Sequence, residues 1–206
     1  MKKLINECIG TFFLVLTIGC CVIGTNPGTI PPLAIGAMLM VMVFAGGHIS
    51  GAHYNPAVTL GVVVRGRCTI ADAVGYVIAQ VGGALAAAFV VSILKSDAQV
   101  VAMTPNVFRA LLAEFLFTFA LVYVVLNVAT ARGTEHNSFY GLAIGATVMA
   151  GAFAVGTISG GAFNPAVAIG LTAMGLSAAS NIWIYLVANL TAGVAAGLTF
   201  RAMSTE

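Results

Sequence analysis

Six long apolar runs, at 4–24, 30–47, 70–94, 107–130, 139–158 and 182–200, constrain this 206-residue chain more than any other feature. Each is close to the ~20 residues a helix needs to cross about 30 Å of hydrocarbon. No water reaches that layer, so a spanning backbone must satisfy its own hydrogen bonds, which a helix does. Charged residues make up only 7% of the chain, against roughly 25% in an average soluble domain. The outside is therefore expected to face lipid. The first run follows Met1-Lys2-Lys3 and superficially resembles a secretion signal. It carries Glu7, lacks a convincing cleavage site and precedes comparable runs, so it reads as the first span. A net charge of +2 gives no case for nucleic acid. Cys8, Cys20, Cys21 and Cys68 read as small buried hydrophobes rather than a disulfide framework.

Two further apolar stretches, at 55–64 and 164–174, are too short to span. At 1.5 Å per residue each covers only about half a bilayer. Both open on the same tripeptide, Asn55-Pro56-Ala57 and Asn164-Pro165-Ala166, offset by 109 positions. The same offset relates Leu33–Ala37 to Leu142–Ala146, and Ile49-Ser50-Gly51 to Ile158-Ser159-Gly160. Upstream, Glu7 with Thr11-Phe12 matches Glu114 with Thr118-Phe119 at an offset of 107. The chain thus divides into two repeats, 1–98 and 99–206, each with three spans and one half-span. An odd number of spans per repeat forces the two into opposite orientations, an inverted repeat. With both termini cytoplasmic, Lys2, Lys3, Arg65, Arg67, Arg132 and Arg201 lie inside and only Lys95 and Arg109 outside. That asymmetry supports cytoplasmic termini in a multi-pass protein of a plasma (inner) membrane. The loops at 25–29 and 131–138 are short and leave little material for an elaborate gate.

The tripeptides carry the chemistry. Asn caps a helix start, and Pro at the first helical position loses nothing through its missing N–H. Each tripeptide therefore reads as the start of a half-helix. The glycines ahead of them, Gly46, Gly47 and Gly51, then Gly156, Gly160 and Gly161, suit an extended re-entrant backbone. Such backbone survives at membrane depth only where protein buries it or where it lines a watery cavity. Inverted symmetry brings the two half-helix N-termini together near the midplane, with their positive dipole ends and carboxamides converging. One such tripeptide is most simply a helix start in a loop. Two, at matched places before half-length helices, are not so explained.

The segment from His48 to Thr59, with Asn55-Pro56-Ala57 inside it, resembles the first signature loop of the aquaporin (major intrinsic protein) family, and Gly160 to Val167 resembles the second. The resemblance runs over essentially the whole chain. It implies an all-α membrane fold of six transmembrane helices plus two re-entrant half-helices, one pore per subunit, and a homotetramer. It also implies a channel rather than an enzyme, with no cofactor and no metal. Asn55 and Asn164 would donate hydrogen bonds to single-file water or solute. Carbonyls of Gly160, Gly161 and Ala162 would form an acceptor ladder, and the half-helix dipoles would oppose cations. Glu7 and Glu114 are intramembrane carboxylates and so functional candidates. Their symmetry and their family role favour support of the pore loops over proton relay. His48 reads as a loop-packing residue before a pH gate. The run Met38, Met40 and Met42 reads as packing.

The chain departs from the family after the second tripeptide, where most members place an Arg and this chain has Val167. The other three filter positions align with Ile35, Ala152 and Gly161. All four are apolar, where water-selective members combine an aromatic, a His, a small polar residue and the Arg. Loss of a guanidinium removes donors and a fixed positive charge. Ala168 stands where glycerol-conducting members typically have Asp, which disfavours a typical glycerol facilitator. The expectation is a passive channel for water and small neutral solutes such as ammonia, urea or hydrogen peroxide, with a widened apolar filter. The alternatives are a water-selective channel and an alternating-access transporter, whose inverted repeats and broken helices look alike in sequence. An ion channel would need carbonyl or acidic rings that are not found here.

Overall fold

The computed structural model describes residues 1–24 and 28–204. Helices α1 (Lys2–Val22), α2 (Pro31–Ser50), α4 (Ile70–Leu94), α5 (Val107–Ala129), α6 (Tyr140–Ser159) and α8 (Ile182–Met203) are the six spans. Helices α3 (Pro56–Arg65) and α7 (Pro165–Ala173) are the two half-helices. Among the described residues there are no strands, only an isolated bridge between Met103 and Ser177. The chain is an all-α, multi-pass membrane protein. Ile78, Phe89, Phe108 and Phe153 stand exposed on its flanks, as residues facing lipid do. Six crossings return the C-terminus to the side where the N-terminus starts, called here the terminal face.

The chain re-enters the membrane twice because two helices are stopped by glycine. Gly51 (φ 85°) and Gly160 (φ 92°) adopt the left-handed conformation just after α2 and α6. Each donates its N–H to a carbonyl one turn back, Gly47 and Gly156. Helix α2 therefore runs on to Ser50, past the expected end at 47, and the turn itself is Gly51.

Close helix crossings rest on small residues, since lipid supplies no hydrophobic drive for helices to associate. Gly36 on α2 and Gly145 on α6 sit back to back, each with the other's carbonyl where a Cβ would go. They are related by the 109 offset, so the two repeats touch at equivalent points. Gly83 on α4 meets the backbone of α1 at Cys8, and Gly193 on α8 meets the carbonyl of Ala57. At the terminal face, the Arg65 guanidinium donates to Thr130 through Nε (3.1 Å) and Nη2 (3.2 Å) and lies 4.7 Å over the Phe200 ring. The end of α3 is thereby tied to α5 and α8. The loop at 131–138 is stapled to the end of α5: Asn137 Nδ2 donates to the Val128 carbonyl (2.7 Å) and Thr134 Oγ1 to that of Asn127 (2.5 Å). Of the loop at 25–29, residues 25–27 lie outside the described residues. None of the four cysteines is in a disulfide, and all are half-buried rather than buried.

Adjacent glycines on α4 should respond oppositely to a methyl group. A Cβ at Gly83 collides with the Cys8 carbonyl, whereas one at Gly82 meets nothing within 4 Å. Overpacking of this kind costs about 1–3 kcal/mol. Thermal unfolding in detergent is expected to show G83A destabilised and G82A unchanged or slightly more stable. Equal melting of the two variants would mean that α1 and α4 do not cross at Gly83.

Candidate functional site

Each tripeptide starts its half-helix as its residues dictate. Asn55 Oδ1 accepts from the N–H groups of Ala57 (2.8 Å) and Val58 (3.4 Å), and Asn164 Oδ1 from Ala166 (2.9 Å) and Val167 (3.3 Å). Pro56 and Pro165 occupy the first helical positions. The two caps are also joined crosswise. Asn55 Nδ2 donates to the Phe163 carbonyl (2.9 Å), and Asn164 Nδ2 donates to the Tyr54 carbonyl (2.8 Å). A carboxamide nitrogen carries two hydrogens. One on each Asn closes this clasp, and one remains for whatever occupies the cavity that both side chains line.

Behind each loop stands a fully buried carboxylate with four donors. Glu7 Oε1 accepts from Ser50 Oγ (2.6 Å) and the His53 N–H (3.0 Å), and Oε2 from the Tyr54 N–H (2.6 Å) and Gln80 Nε2 (2.8 Å). Glu114 Oε1 accepts from Ser159 Oγ (2.7 Å) and the Ala162 N–H (2.9 Å), and Oε2 from the Phe163 N–H (2.7 Å). The fourth donor is Asn189, whose carboxamide is oriented with Nδ2 toward Glu114 (3.1 Å) and its oxygen toward the Asn164 N–H (3.0 Å). Tyr76 and Tyr185 close the two helix ends by donating to the carbonyls of Ser50 and Ser159, both at 2.7 Å. Neither carboxylate lines a cavity described below, which favours support over proton relay.

These bonds aim the loops. In a trans peptide unit the N–H and C=O point in opposite directions. The N–H groups of residues 52–54 and 161–163 are drawn toward Ser50 and Glu7, and toward Ser159 and Glu114. The carbonyls of residues 51–53 and of Gly160, Gly161 and Ala162 are consequently turned to the other side, the cavity side. That geometry requires left-handed backbone at Ala52 (φ 51°), Tyr54 (φ 49°) and Phe163 (φ 48°) as well as at glycine. Side chains tolerate such backbone only where the surroundings over-determine it.

A track of three cavities runs through the bundle. A terminal-face vestibule of about 530 Å³ is lined by His48, Arg67, Glu135 and His136, among others. A central cavity of about 30 Å³ is lined by Asn55 and Asn164 together with Leu14, Leu39, Leu121 and Val148, among others. One water needs roughly 10–15 Å³, so this segment admits single molecules in file. A second vestibule of about 390 Å³ opens on the opposite face. Ile35, Gly161 and Val167 line both the central cavity and this second vestibule, and Ala152 lines the vestibule alone. Among the described residues, no Asp, Glu, Lys or Arg lines the central cavity or the opposite-face vestibule. A Cβ at Gly161 would meet Gly156 and Ala152 on α6, which themselves line this vestibule.

One expectation changes here. His48 does not support the loop: it is exposed at the vestibule, clear of the Glu7 network, because α2 runs on past it to Ser50. The supporting groups are Ser50, Tyr76 and Gln80, with Ser159, Tyr185 and Asn189 as counterparts. All three pairs keep the 109 offset. Polar residues recurring at that offset inside apolar spans were the signal that could have found them.

The sequence pattern of the major intrinsic protein family matches residues 1–200. The chain belongs to that family. It is a channel protein of the aquaporin type and not an enzyme. Aquaporin NIP1-4 of Oryza sativa subsp. japonica is 38% identical over 207 residues, covering 96% of this chain and 74% of that one. Aquaporin NIP1-2 of Arabidopsis thaliana is 34% identical over 219 residues, covering 98% and 74%. Glycerol uptake facilitator protein-like 6 of Lactiplantibacillus plantarum is 36% identical over the full length of both chains. The aquaglyceroporin of Plasmodium falciparum, known from an X-ray structure, shares the fold with a TM-score of 0.82 at 21% identity, covering 98% and 96%.

A carboxamide in place of either carboxylate puts a donor where two donors already point. Each donor left without an acceptor costs about 1–3 kcal/mol. E7Q and E114Q are expected to lower the melting temperature in detergent and to reduce water permeability in proteoliposomes. A fully stable, fully conducting E114Q would remove the supporting role.

Proposed function

We propose that this aquaporin-type channel passes water together with small neutral solutes such as ammonia, urea or hydrogen peroxide. The observation that carries the reading is the opposite-face neck, where Ile35 and Val167 meet the backbone of Gly161 and no side chain offers charge. Such a neck neither orients water through fixed donors nor repels cations. Rejection of cations then falls to the paired N-termini of α3 and α7, whose dipoles place partial positive charge at the tripeptides. The acceptor carbonyls of Gly160, Gly161 and Ala162 and the donors of Asn55 and Asn164 would hand a solute along the file. A water-selective channel is the second reading, favoured by the small central volume of about 30 Å³. We further propose that 1–98 and 99–206 are inverted repeats, that both termini are cytoplasmic in a plasma (inner) membrane, and that the working form is a homotetramer.

Stopped-flow light scattering on proteoliposomes tests the permeants. Water, urea, ammonia and peroxide fluxes above those of empty vesicles are expected, and water flux alone would overturn the broad-solute reading. One relative's name refers to glycerol uptake, so glycerol belongs in the same series. V167R is expected to cut urea flux more than water flux. An unchanged solute profile in V167R would place the constriction elsewhere.

A further inference from the structure

Off the track, a crevice of about 210 Å³ opens at the opposite face between the ends of α1, α4 and α7. Apolar Ile23, Val91 and Met174 line it, together with polar Ser92, Lys95 and Ser96. Among the described residues, Lys95 is the one charged side chain that lines it. No residue of the crevice also lines the track. Its volume is well above the roughly 10–15 Å³ that one water needs.

The offsets found in the sequence give each of the three apolar residues a counterpart at the terminal face. Ile23 corresponds to Thr130 at the 107 offset of α1 and α5, and Val91 and Met174 correspond to Phe200 and Arg65 at 109. Those counterparts are joined. The Arg65 guanidinium donates to the side chain and the carbonyl of Thr130 and lies over the Phe200 ring. Thr130 is the C-cap of α5, Arg65 is the last residue of α3, and Phe200 stands in the last turn of α8. Three helix C-termini therefore meet at that point. Such ends carry partial negative charge and carbonyls without intrahelical partners, which a guanidinium satisfies.

The opposite-face crevice joins the same kind of ends. Ile23, Lys95 and Met174 are the C-caps of α1, α4 and α7. Isoleucine, valine and methionine stand in place of threonine, phenylalanine and arginine, so smaller side chains without donors leave the space open. The Lys95 ammonium adds positive charge beside the helix ends, so the crevice presents both signs. It also lies where a span meets the headgroup layer. Phe89, Ile93 and Leu94, on the last turns of α4, stand exposed as residues facing lipid do.

We propose that this crevice binds the headgroup of a bilayer phospholipid that carries a primary ammonium, of the phosphoethanolamine type. The phosphate pairs with Lys95, with the hydroxyls of Ser92 and Ser96 as further donors. The ammonium meets the carbonyl ends of α1 and α7, as the Arg65 guanidinium meets that of α5. A choline headgroup has no N–H to give a carbonyl, and a glycerol headgroup has no cation. The bound lipid steadies the end of α7 as Arg65 steadies the end of α3.

The test uses the full chain in detergent with phosphatidylethanolamine, phosphatidylcholine or phosphatidylglycerol of identical acyl chains. Native mass spectrometry reads lipid retention and oligomeric state, and thermal unfolding reads stability. Wild type is expected to retain the ethanolamine lipid about tenfold better than either of the others, and to melt higher with it. K95Q should lose about that factor, the effect of removing one hydrogen bond to a charged group. R109Q removes the other cation that the charge pattern assigns to this face, and should keep the preference. M174R puts a guanidinium into the crevice, and should melt higher without lipid and retain little of it. Equal retention of the three lipids by wild type overturns the proposal, as does a wild-type preference in K95Q. A loss in R109Q equal to that in K95Q would reduce the site to general surface charge. An M174R that breaks the oligomer with lipid retention unchanged would mean that a second copy of the chain covers the crevice, which also overturns it.

Discussion

Two buried carboxylates, each accepting four hydrogen bonds, are what the rest of the pore depends on. A re-entrant loop is the least self-sufficient backbone a membrane can contain, since neither helix nor sheet uses its polar groups. Glu7 and Glu114 take up its N–H groups, and by doing so they decide where its carbonyls go. A buried ion normally needs an opposite charge. Here serine, amide and backbone donors take that place, and among the described residues no cation lines the central cavity. One acidic residue per repeat thus serves both stability and function. The N–H side of the loop anchors it, and the C=O side lines the path.

The crosswise bonds of Asn55 and Asn164 make the two loops a single unit. Each carboxamide caps its own half-helix and holds the carbonyl that precedes the other cap. Displacing one loop therefore disturbs the cap on the other. The clasp also fixes the separation of two helix N-termini whose partial positive charges repel, and it keeps both at the centre of the track. Donors at the clasp, flanked by acceptors on either side, would orient a hydrogen-bonded file in opposite senses on its two sides. Fixed polarity of that kind works without a charged side chain in the pore.

Much of this architecture could be read from residues alone. Length and apolarity give six spans, and two short apolar runs opening on Asn-Pro have few options other than half-helices. What stayed hidden follows from packing. Gln80 and Asn189 look like stray polar residues in apolar spans until α4 and α8 are laid against the loops. His48 and His53 are close in sequence, and the choice between them turns on left-handed backbone at Gly51, Ala52 and Tyr54. That backbone sends the chain back inward after Ser50, leaving His48 at the vestibule and carrying His53 into the neck. Gly161 shows the same dependence on packing: a Cβ there would meet Gly156 and Ala152 of α6, which line the same vestibule.

A matched pair of re-entrant loops has a consequence for selectivity beyond economy of design. It supplies two necks, one on each side of the clasp, and leaves each repeat free to keep or lose its own constriction. Val58 and Val167 are the same residue at matched positions. A difference along the path is His53 against Ala162, and Thr59 holds the imidazole at Nδ1. A swinging ring would yield to a solute at the cost of a rotamer change. A ring tethered at Nδ1 and packed on Tyr76 can move only by breaking contacts that reach back to Gln80 and Glu7. Glu7, which holds the loop, and His53, which lines the path, thus belong to one hydrogen-bond network.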